Sequence, residues 1–234
     1  MTFSVALATY NEEKNLPSCF EAVKDWAEEI VIVDGSSTDK TREIAQKYGA
    51  RVIKTTNKPI FHINKQMAID ACRGDWILQL DADEIVEPAL KKEILAVIKK
   101  GSDLDAFSLP RKNFFLGRWL SKGGQYPDTV IRFFKKGKAF LPCQSVHEQM
   151  TVPSGKIGQL SGHLLHYPYP SFNEYLVKFN RYTELTAEYL KNPKIKPNFW
   201  HYLRSEARGT GAFLSRYLRH KGFVDGFAGF VFAL

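Results

Sequence analysis

The sequence predicts an α/β fold: a doubly wound, mostly parallel sheet with a helical C-terminal appendage. Three observations carry this. Short apolar runs alternate with helical patterns over about the first hundred residues, the signature of strand–helix–strand units. Polar clusters follow the first, second and fourth strands, so all three share one edge of one sheet, and the carboxyl edge is where ligands bind in such folds. Past about residue 170 the strand pattern stops, and basic and aromatic residues recur at helical spacing.

The elements follow in order. Phe3 to Ala8 reads as a strand, and Leu16, Cys19, Phe20, Val23, Trp26 and Ala27 recur at helical spacing. Ile30 to Val33 is the second strand. Asp34-Gly35-Ser36-Ser37-Thr38-Asp39 is then a loop that supplies an N-cap for a helix ending near Gly49. Arg51 to Lys54 is a short third strand, and a helix from about His62 to Cys72 leads to the fourth, Trp76 to Leu80. Pro88 at a first helical turn, with Leu90, Ile94, Val97 and Ile98, gives an amphipathic helix that stops at Gly101. Two extended pieces follow, Ala106 to Pro110 and Thr129 to Phe134, separated by aromatic and glycine-rich loops.

The fourth strand ends in Asp81-Ala82-Asp83-Glu84. One residue separates Asp81 from Asp83, so a turn can bring both carboxylates near one point. A hard divalent cation, Mg²⁺ or Mn²⁺, relieves their repulsion and takes phosphate oxygens into its shell. A solvated acidic turn before a helix is the plain alternative. The strand-one cluster is Thr9-Tyr10-Asn11-Glu12. No G-x-G-x-x-G follows strand one and no G-x-x-x-x-G-K-[ST] occurs anywhere, which excludes the usual dinucleotide oxidoreductase and P-loop patterns.

Composition sets wider bounds. The 234 residues are 44% hydrophobic and 25% charged, an ordinary globular balance, and the net charge of +8 favours anionic partners. Cys19, Cys72 and Cys143 are scattered and odd in number, which points to a reducing compartment rather than a disulfide framework or zinc. No basic segment followed by a long apolar one opens the chain, so no signal peptide is expected, and no apolar run approaches the ~20 residues that span a bilayer.

Thr9-Tyr10-Asn11-Glu12-Glu13-Lys14-Asn15-Leu16, Val33-Asp34-Gly35-Ser36-Ser37-Thr38-Asp39-Lys40-Thr41 and Gly74-Asp75-Trp76-Ile77-Leu78-Gln79-Leu80-Asp81-Ala82-Asp83-Glu84 together resemble, in order and spacing, the family-two glycosyltransferases. These are inverting enzymes of the GT-A fold with nucleotide-sugar donors. The resemblance implies that Thr9, Tyr10 and Glu12 line the base and ribose pocket and that Asp34 hydrogen-bonds the base, usually uracil. It implies that Asp81 contacts ribose or metal-bound water and that Asp83 ligates the metal on the diphosphate. Thr9 and Glu12 could also cap the first helix, and Asp34 could form a turn.

The middle of the chain resembles a narrower subgroup, the bacterial lipopolysaccharide-core glucosyltransferases. The shared residues are Pro110-Arg111, Asn113, Gly117-Arg118, Tyr126-Pro127-Asp128, Arg132-Phe133-Phe134 and Val146-His147-Glu148; Phe133 stands where the subgroup has Leu. An inverting transfer needs a general base for the acceptor hydroxyl. The family places an acid near Glu148, which is the first candidate, with Asp128 the second; a Pro-Asp turn is the other role for Asp128. His147 could orient Glu148, bind metal or pack. Arg111 and Arg132 are candidates for diphosphate or acceptor-phosphate contacts, since arginine forks suit phosphate. Lys65, where the subgroup also tends to carry lysine, could approach the donor. His166 could complete the metal shell or be buried and satisfied.

Residues 1–170 are therefore expected to form the glycosyltransferase domain, with 1–104 the nucleotide-sugar half and 105–170 the acceptor and base half. Residues 171–234 form the appendage. Within it Phe172, Tyr175, Leu176, Phe179, Tyr182, Leu185, Thr186 and Tyr189 make an apolar stripe suited to packing. From Phe199 on, arginines interleave with aromatics and precede an apolar tail. That pattern suits a helix lying in the cytoplasmic membrane interface, or a docking helix with a dimer contact. The expected function is metal-dependent transfer of a hexose, glucose or another, from a UDP-linked donor to a lipopolysaccharide-core or other cell-envelope glycan. A polyprenyl-phosphate acceptor and a non-catalytic sugar-binding protein are the alternatives. Nucleic acid is not an expected partner, because the acids at the sheet edge would repel its phosphates.

Overall fold

The computed structural model describes residues 1–144, 148–169, 171–190 and 199–234, with side chains described except at 182, 185, 186, 188–190, 201 and 202. The predicted alternation is present. Strand β1 (Phe3–Thr9) leads to helix α1 (Leu16–Glu21), β2 (Glu29–Asp34) to α2 (Thr41–Lys47), and β3 (Arg51–Lys54) to α3 (Phe61–Ala71). Then come β4 (Trp76–Leu80), a three-residue β5 (Glu84–Val86) and α4 (Pro88–Lys100). Asp39 Oδ1 accepts the Thr41 amide and opens α2, while Gly101, at φ 74°, closes α4 where the sequence stops it. Helix α1 is shorter than its apolar spacing predicts; residues 22–26 continue it as turns.

Strands β6 (Ala106–Phe115), β7 (Arg118–Trp119), β8 (Asp128–Lys135), β9 (Ile157–Gln159) and β10 (Leu164–Tyr169) complete the sheet, whose order is β3-β2-β1-β4-β8-β6-β10-β5. The first four strands are parallel, with Thr9 beside Asp34 and Leu7 beside both Ile32 and Leu80. The clusters after β1, β2 and β4 thus do lie on one edge. Strand β8 runs antiparallel to β4, so the sheet is mixed beyond that point. Strand β6 does not end at Pro110 as the sequence suggests. It continues to Phe115 with Pro110 opposite Thr129, since proline keeps an extended φ and removes only one ladder donor.

Both faces of the sheet are covered, as double winding requires. On one face Phe3, Val5, Leu7, Ile32, Trp76 and Leu78 pack with Leu16 and Phe20 of α1 and Leu90 and Ile94 of α4. On the other, Ala6, Val31, Val33 and Ile77 pack with Ala68, Ile69 and Cys72 around α3. Alternate residues of one strand thus face opposite layers. Trp76 and Phe133 are fully buried and stacked, 4.6 Å between ring centroids; burying each such side chain contributes about 1.5–3 kcal/mol. A Cβ on Gly162 would lie 2.4 Å from Leu90 Cα, so only glycine lets this segment cross α4.

The chain divides into two compact units, Met1–Arg111 with Asp128–His166, and Lys112–Pro127 with Tyr167–Leu234. The sequence placed its boundary after residue 170 and did not foresee that 112–127 groups with the C-terminal helices. The reason is packing: Phe115 and Leu120 from that hairpin cluster with Tyr169, Tyr175, Ala228 and Phe232. The second unit also holds α5 (Phe172–Leu190), α6 (Phe199–Leu214), a π-helical turn Ser215–Arg219, a 3₁₀ turn Gly222–Asp225 and α7 (Gly226–Ala233). Its buried Asp225 accepts from Ser121 Oγ at 2.9 Å and from the Lys122 amide at 2.8 Å. Tyr175 of the predicted stripe packs edge-on against Phe115, but Phe172, Leu176 and Phe179 of the same stripe are exposed. Tyr182, Leu185, Thr186 and Tyr189 lie outside the described side chains.

The units differ in charge. The second contains 13 Lys and Arg against 5 Asp and Glu, and the first contains 20 of each, so the whole net charge of +8 belongs to the second.

Candidate active site

Parallel pairing of β1 and β2 brings the first two polar clusters together. Asp34 is fully buried, and its carboxylate accepts from the Ser37 amide at 3.1 Å, from Ser37 Oγ and from Thr9 Oγ1 at 3.4 Å. Asn11 and Ser36 take the left-handed backbone region, φ 56° and 70°. The Asn11 amide donates to Ser37 Oγ at 2.9 Å, and Asn11 Oδ1 accepts from the Thr38 amide at 2.8 Å. Glu12 starts α1 through its carbonyl, which accepts the Leu16 amide, and its side chain holds Asn15 Nδ2 at 2.8 Å. Tyr10 stands exposed beside these residues in the chain. Asp34 thus sits in the turn the sequence offered and Glu12 meets the start of α1, whereas Thr9 bonds to Asp34 and not to the helix.

The third cluster is a charge network. Lys65 Nζ of α3 lies 2.5 Å from Asp81 Oδ1, and Arg132 Nη2 of β8 lies 2.6 Å from Asp81 Oδ2 and 2.8 Å from Glu84 Oε1. Arg132 also donates to Gln79 Oε1. Arg111 of β6 reaches Glu84 Oε1 at 3.2 Å and forks onto Asp128 Oδ2 at 2.9 and 2.8 Å. Glu84 is wholly buried, and its Oε2 accepts the Asp81 amide at 3.0 Å. Burial alone would push the Asp81 carboxyl up; Arg132 and Lys65 outweigh it and hold the group well below the ordinary carboxylate range. Burial likewise raises Glu84 and Arg132 lowers it, with the net result below its usual value.

A cavity of about 190 Å³ opens on this network. Lys65, Asp81, Arg111 and Arg132 line it, together with Phe61 and His62 from the first turn of α3 and with Glu148. Glu148 Oε1 accepts the Gln144 amide at 2.6 Å, and its Oε2 lies 3.9 Å from His62 Nδ1. Asp128 does not line the cavity, and its Oδ2 is taken by the Arg111 fork. His147 falls outside the described residues.

Asp83 and His166 make a separate pair. Antiparallel pairing of β10 with β5 puts His166 opposite Glu84, and His166 Nε2 lies 3.6 Å from Asp83 Oδ2. Burial pulls His166 below its ordinary value, against the neighbouring Asp83 and Glu84, and so favours the neutral imidazole. A neutral imidazole beside a carboxylate suits Mg²⁺ or Mn²⁺, the nitrogen ligand favouring Mn²⁺. Among the described residues no three His, Cys, Asp or Glu side chains group closely enough to hold a metal by themselves. A cation here would take the rest of its shell from phosphate oxygens and water.

The sequence reading thus named Lys65, Asp81, Arg111, Arg132 and Glu148, which the structure brings to one cavity. It treated Arg111 and Arg132 as phosphate arms; both are paired with the buried Glu84. It assigned no role to Gln79, Glu84, Phe61 or His62. Gln79 carried a signal, a polar residue inside a fully buried strand. Phe61 and His62 carried none, since only the fold brings α3 beside Glu148.

The family described as Glycosyl transferase family 2 matches residues 4–151. The lipopolysaccharide core biosynthesis glycosyltransferase LpsC of Rhizobium meliloti (strain 1021) is 28% identical over 245 residues, spanning 100% of this chain and 87% of that protein. Among solved structures, S. aureus TarS 1–349 in complex with UDP-GlcNAc matches with a TM-score of 0.57 at 19% identity, covering 100% of this chain and 80% of that one. Glucosyl-3-phosphoglycerate synthase from Mycobacterium tuberculosis, in complex with Mn²⁺, UDP and glucosyl-3-phosphoglycerate, matches at 0.52 and 18%, over 77% of this chain and 76% of that one.

Proposed function

Because the chain belongs to glycosyl transferase family 2, we propose that it moves a hexose from a UDP-linked donor, with inversion, to a lipopolysaccharide-core or other cell-envelope glycan. The observation that carries this is the cavity in which Lys65, Asp81 and Arg132 stand together with Glu148. Donor-binding charges and a carboxylate base are what one displacement needs.

In that reading Thr9, Tyr10, Glu12 and Asp34 form the base and ribose pocket. Lys65 and Arg132 receive the diphosphate, and Asp81 orients the ribose side of the donor. Arg132 Nε is buried with no hydrogen-bond partner among the described residues, which supports an anionic oxygen arriving beside it. Arg111 serves the acceptor side. The acceptor hydroxyl oxygen attacks the anomeric carbon, the bond to the diphosphate oxygen breaks, and the hydroxyl proton passes to Glu148. Glu148 is preferred to Asp128 because Arg111 already occupies the Asp128 carboxylate. Asp83 and His166 would hold the divalent cation, whose chemistry is to neutralise charge on the departing UDP. The complex of the mycobacterial synthase with Mn²⁺ and UDP supports a divalent cation beside the donor.

Calorimetric titration of the full chain with UDP, GDP and ADP, with and without Mn²⁺, tests the donor reading. UDP is expected to bind at least ~10-fold more tightly than GDP or ADP, and more tightly with Mn²⁺ than without. Equal binding of all three, or none, sinks it.

The reading also places the enzyme at the cytoplasmic face of the membrane, where a glycolipid acceptor is presented. No helix among the described residues is long and apolar enough to cross a membrane. On α6 Phe199 and Trp200 are 69% and 74% exposed, and Arg204 and Arg208 follow on the same helix. Exposed aromatics on a unit of net charge +8 suit an anionic lipid interface. The protein is expected to sediment with phosphatidylglycerol-containing vesicles at 50 mM salt and to leave them at 500 mM. Failure to sediment at 50 mM removes the membrane from this proposal.

A further inference from the structure

Helix α3 presents two polar side chains to the cavity, three residues apart and hence on one face. Lys65 reaches Asp81 on the donor side. His62 is only 6% exposed, and its Nδ1 lies 3.9 Å from Glu148 Oε2. The imidazole is packed edge-on against Phe61, 4.3 Å between ring centroids, and Lys65 Nζ sits 4.9 Å from the centre of the same Phe61 ring. The other Glu148 oxygen is held by the Gln144 amide. One oxygen is therefore held by its own loop, and the other faces the imidazole on α3 at 3.9 Å, beyond hydrogen-bond distance.

We propose that His62 is a positioning residue for sugar transfer: its Nδ1–H directs Glu148 Oε2 at the acceptor hydroxyl. This rests on the reading of Glu148 as the base. A carboxylate on a loop rotates freely unless both oxygens have partners, and a base that is misdirected by about 1 Å loses much of its rate. A separation of 3.9 Å is long for a hydrogen bond, but contacts of this kind tighten when substrate fills the site. The same turn of α3 then links donor and base, because Lys65, on the donor side, stands on the helix that carries His62.

The test separates positioning from packing. His62→Leu keeps bulk without a donor; His62→Asn keeps a donor near the Nδ1 position with less bulk. The readout is UDP released from UDP-glucose, UDP-galactose or UDP-N-acetylglucosamine with water as acceptor, beside calorimetric binding of UDP. His62→Leu is expected to lose about 10–100-fold in kcat with KM and UDP affinity unchanged, and His62→Asn to recover most of that loss. A leucine variant as active as the asparagine variant, or a loss confined to KM, overturns the proposal. Glu148→Gln reports on the base separately. If it keeps wild-type kcat, the base reading fails and this proposal with it; if it is inactive while His62→Leu is not impaired, only the role of His62 fails. Nitrogen NMR of the imidazoles gives an answer without turnover. A signal from Nδ1-protonated His62, identified by its loss in His62→Asn, is expected in the wild type and expected to revert to the Nε2–H form in Glu148→Ala. An Nε2–H tautomer in both overturns the contact.

Discussion

Asp83→Ala is expected to lower turnover of the UDP-hexose by about 10²–10³-fold, roughly 3–4 kcal/mol of transition-state stabilisation, the scale on which a cation assists a departing phosphate. The fold should survive. The Asp83 side chain is partly exposed, and its carboxylate faces His166 Nε2 at 3.6 Å. The turn itself is held by other groups: the Glu84 amide donates to the Asp81 carbonyl at 3.0 Å, and the Asp81 amide to Glu84 Oε2. Circular dichroism melts of the variant should therefore overlay those of the wild type to within a few degrees. Full activity of the variant in buffer without added metal would remove Asp83 from the mechanism. Loss of activity with an equal loss of melting temperature would make its role structural.

The largest stability effect is expected at Arg132. Its guanidinium is nearly buried and faces Asp81, Glu84 and Gln79 at once. Arg132→Met keeps most of the volume and removes the charge. Lys65 still faces Asp81 and Arg111 still faces Glu84, but three acids are left with two cations. Breaking a buried pair from one side typically costs about 3–5 kcal/mol, which in a chain of this size lowers Tm by roughly 6–20 °C. The sign of the pH dependence follows from the wild-type network. The Asp81 and Glu84 carboxyls sit below their ordinary values, so their contribution is present above the unfolded-state range and lost as pH falls through the folded values. Without Arg132 the largest influence that lowers both carboxyls is gone, so the variant has less of this contribution to lose in acid than the wild type. The gap in unfolding free energy is thus expected to shrink between pH 7 and pH 3, across and below the unfolded carboxylate range. Urea melts at both values measure it. A gap that is the same at both places the cost in lost packing rather than in buried charge.

What was legible in the sequence was local. Strands β1 to β4 announced themselves as apolar runs, Pro88 and Gly101 bounded α4, and parallel alternation alone set three polar clusters on one edge. What was not legible depended on antiparallel partners distant in the chain. Glu84 reads as the end of an acidic turn, yet it opens a strand because Leu164–Tyr169 pairs with it. Arg111 and Arg132 look like free cations until β6 and β8 lie side by side and deliver both to the same acid. His62 sits in a helix whose sequence pattern says nothing about Glu148, more than eighty positions later. The hairpin 112–127 grouped with the C-terminal helices for a similar reason: Phe115 and Leu120 find their partners there, not next to themselves in sequence.

The uneven division of charge between the two units has a consequence for how the enzyme answers to its surroundings. The first unit is electroneutral, and its charges act on one another over contacts of about 2.5–3.9 Å. Such contacts lie well inside the Debye length of ~8 Å in physiological salt, and partly buried ones are screened little. The second unit has no such internal balance, and its field reaches outward through solvent, where mobile ions compete with any surface it meets. If the second unit meets an anionic lipid surface as proposed, ionic strength controls where the molecule resides and hardly at all what its cavity can do. On that reading, a cell that alters the ions or the anionic lipid along its inner leaflet would regulate delivery of the catalyst to its acceptor without touching the catalyst itself.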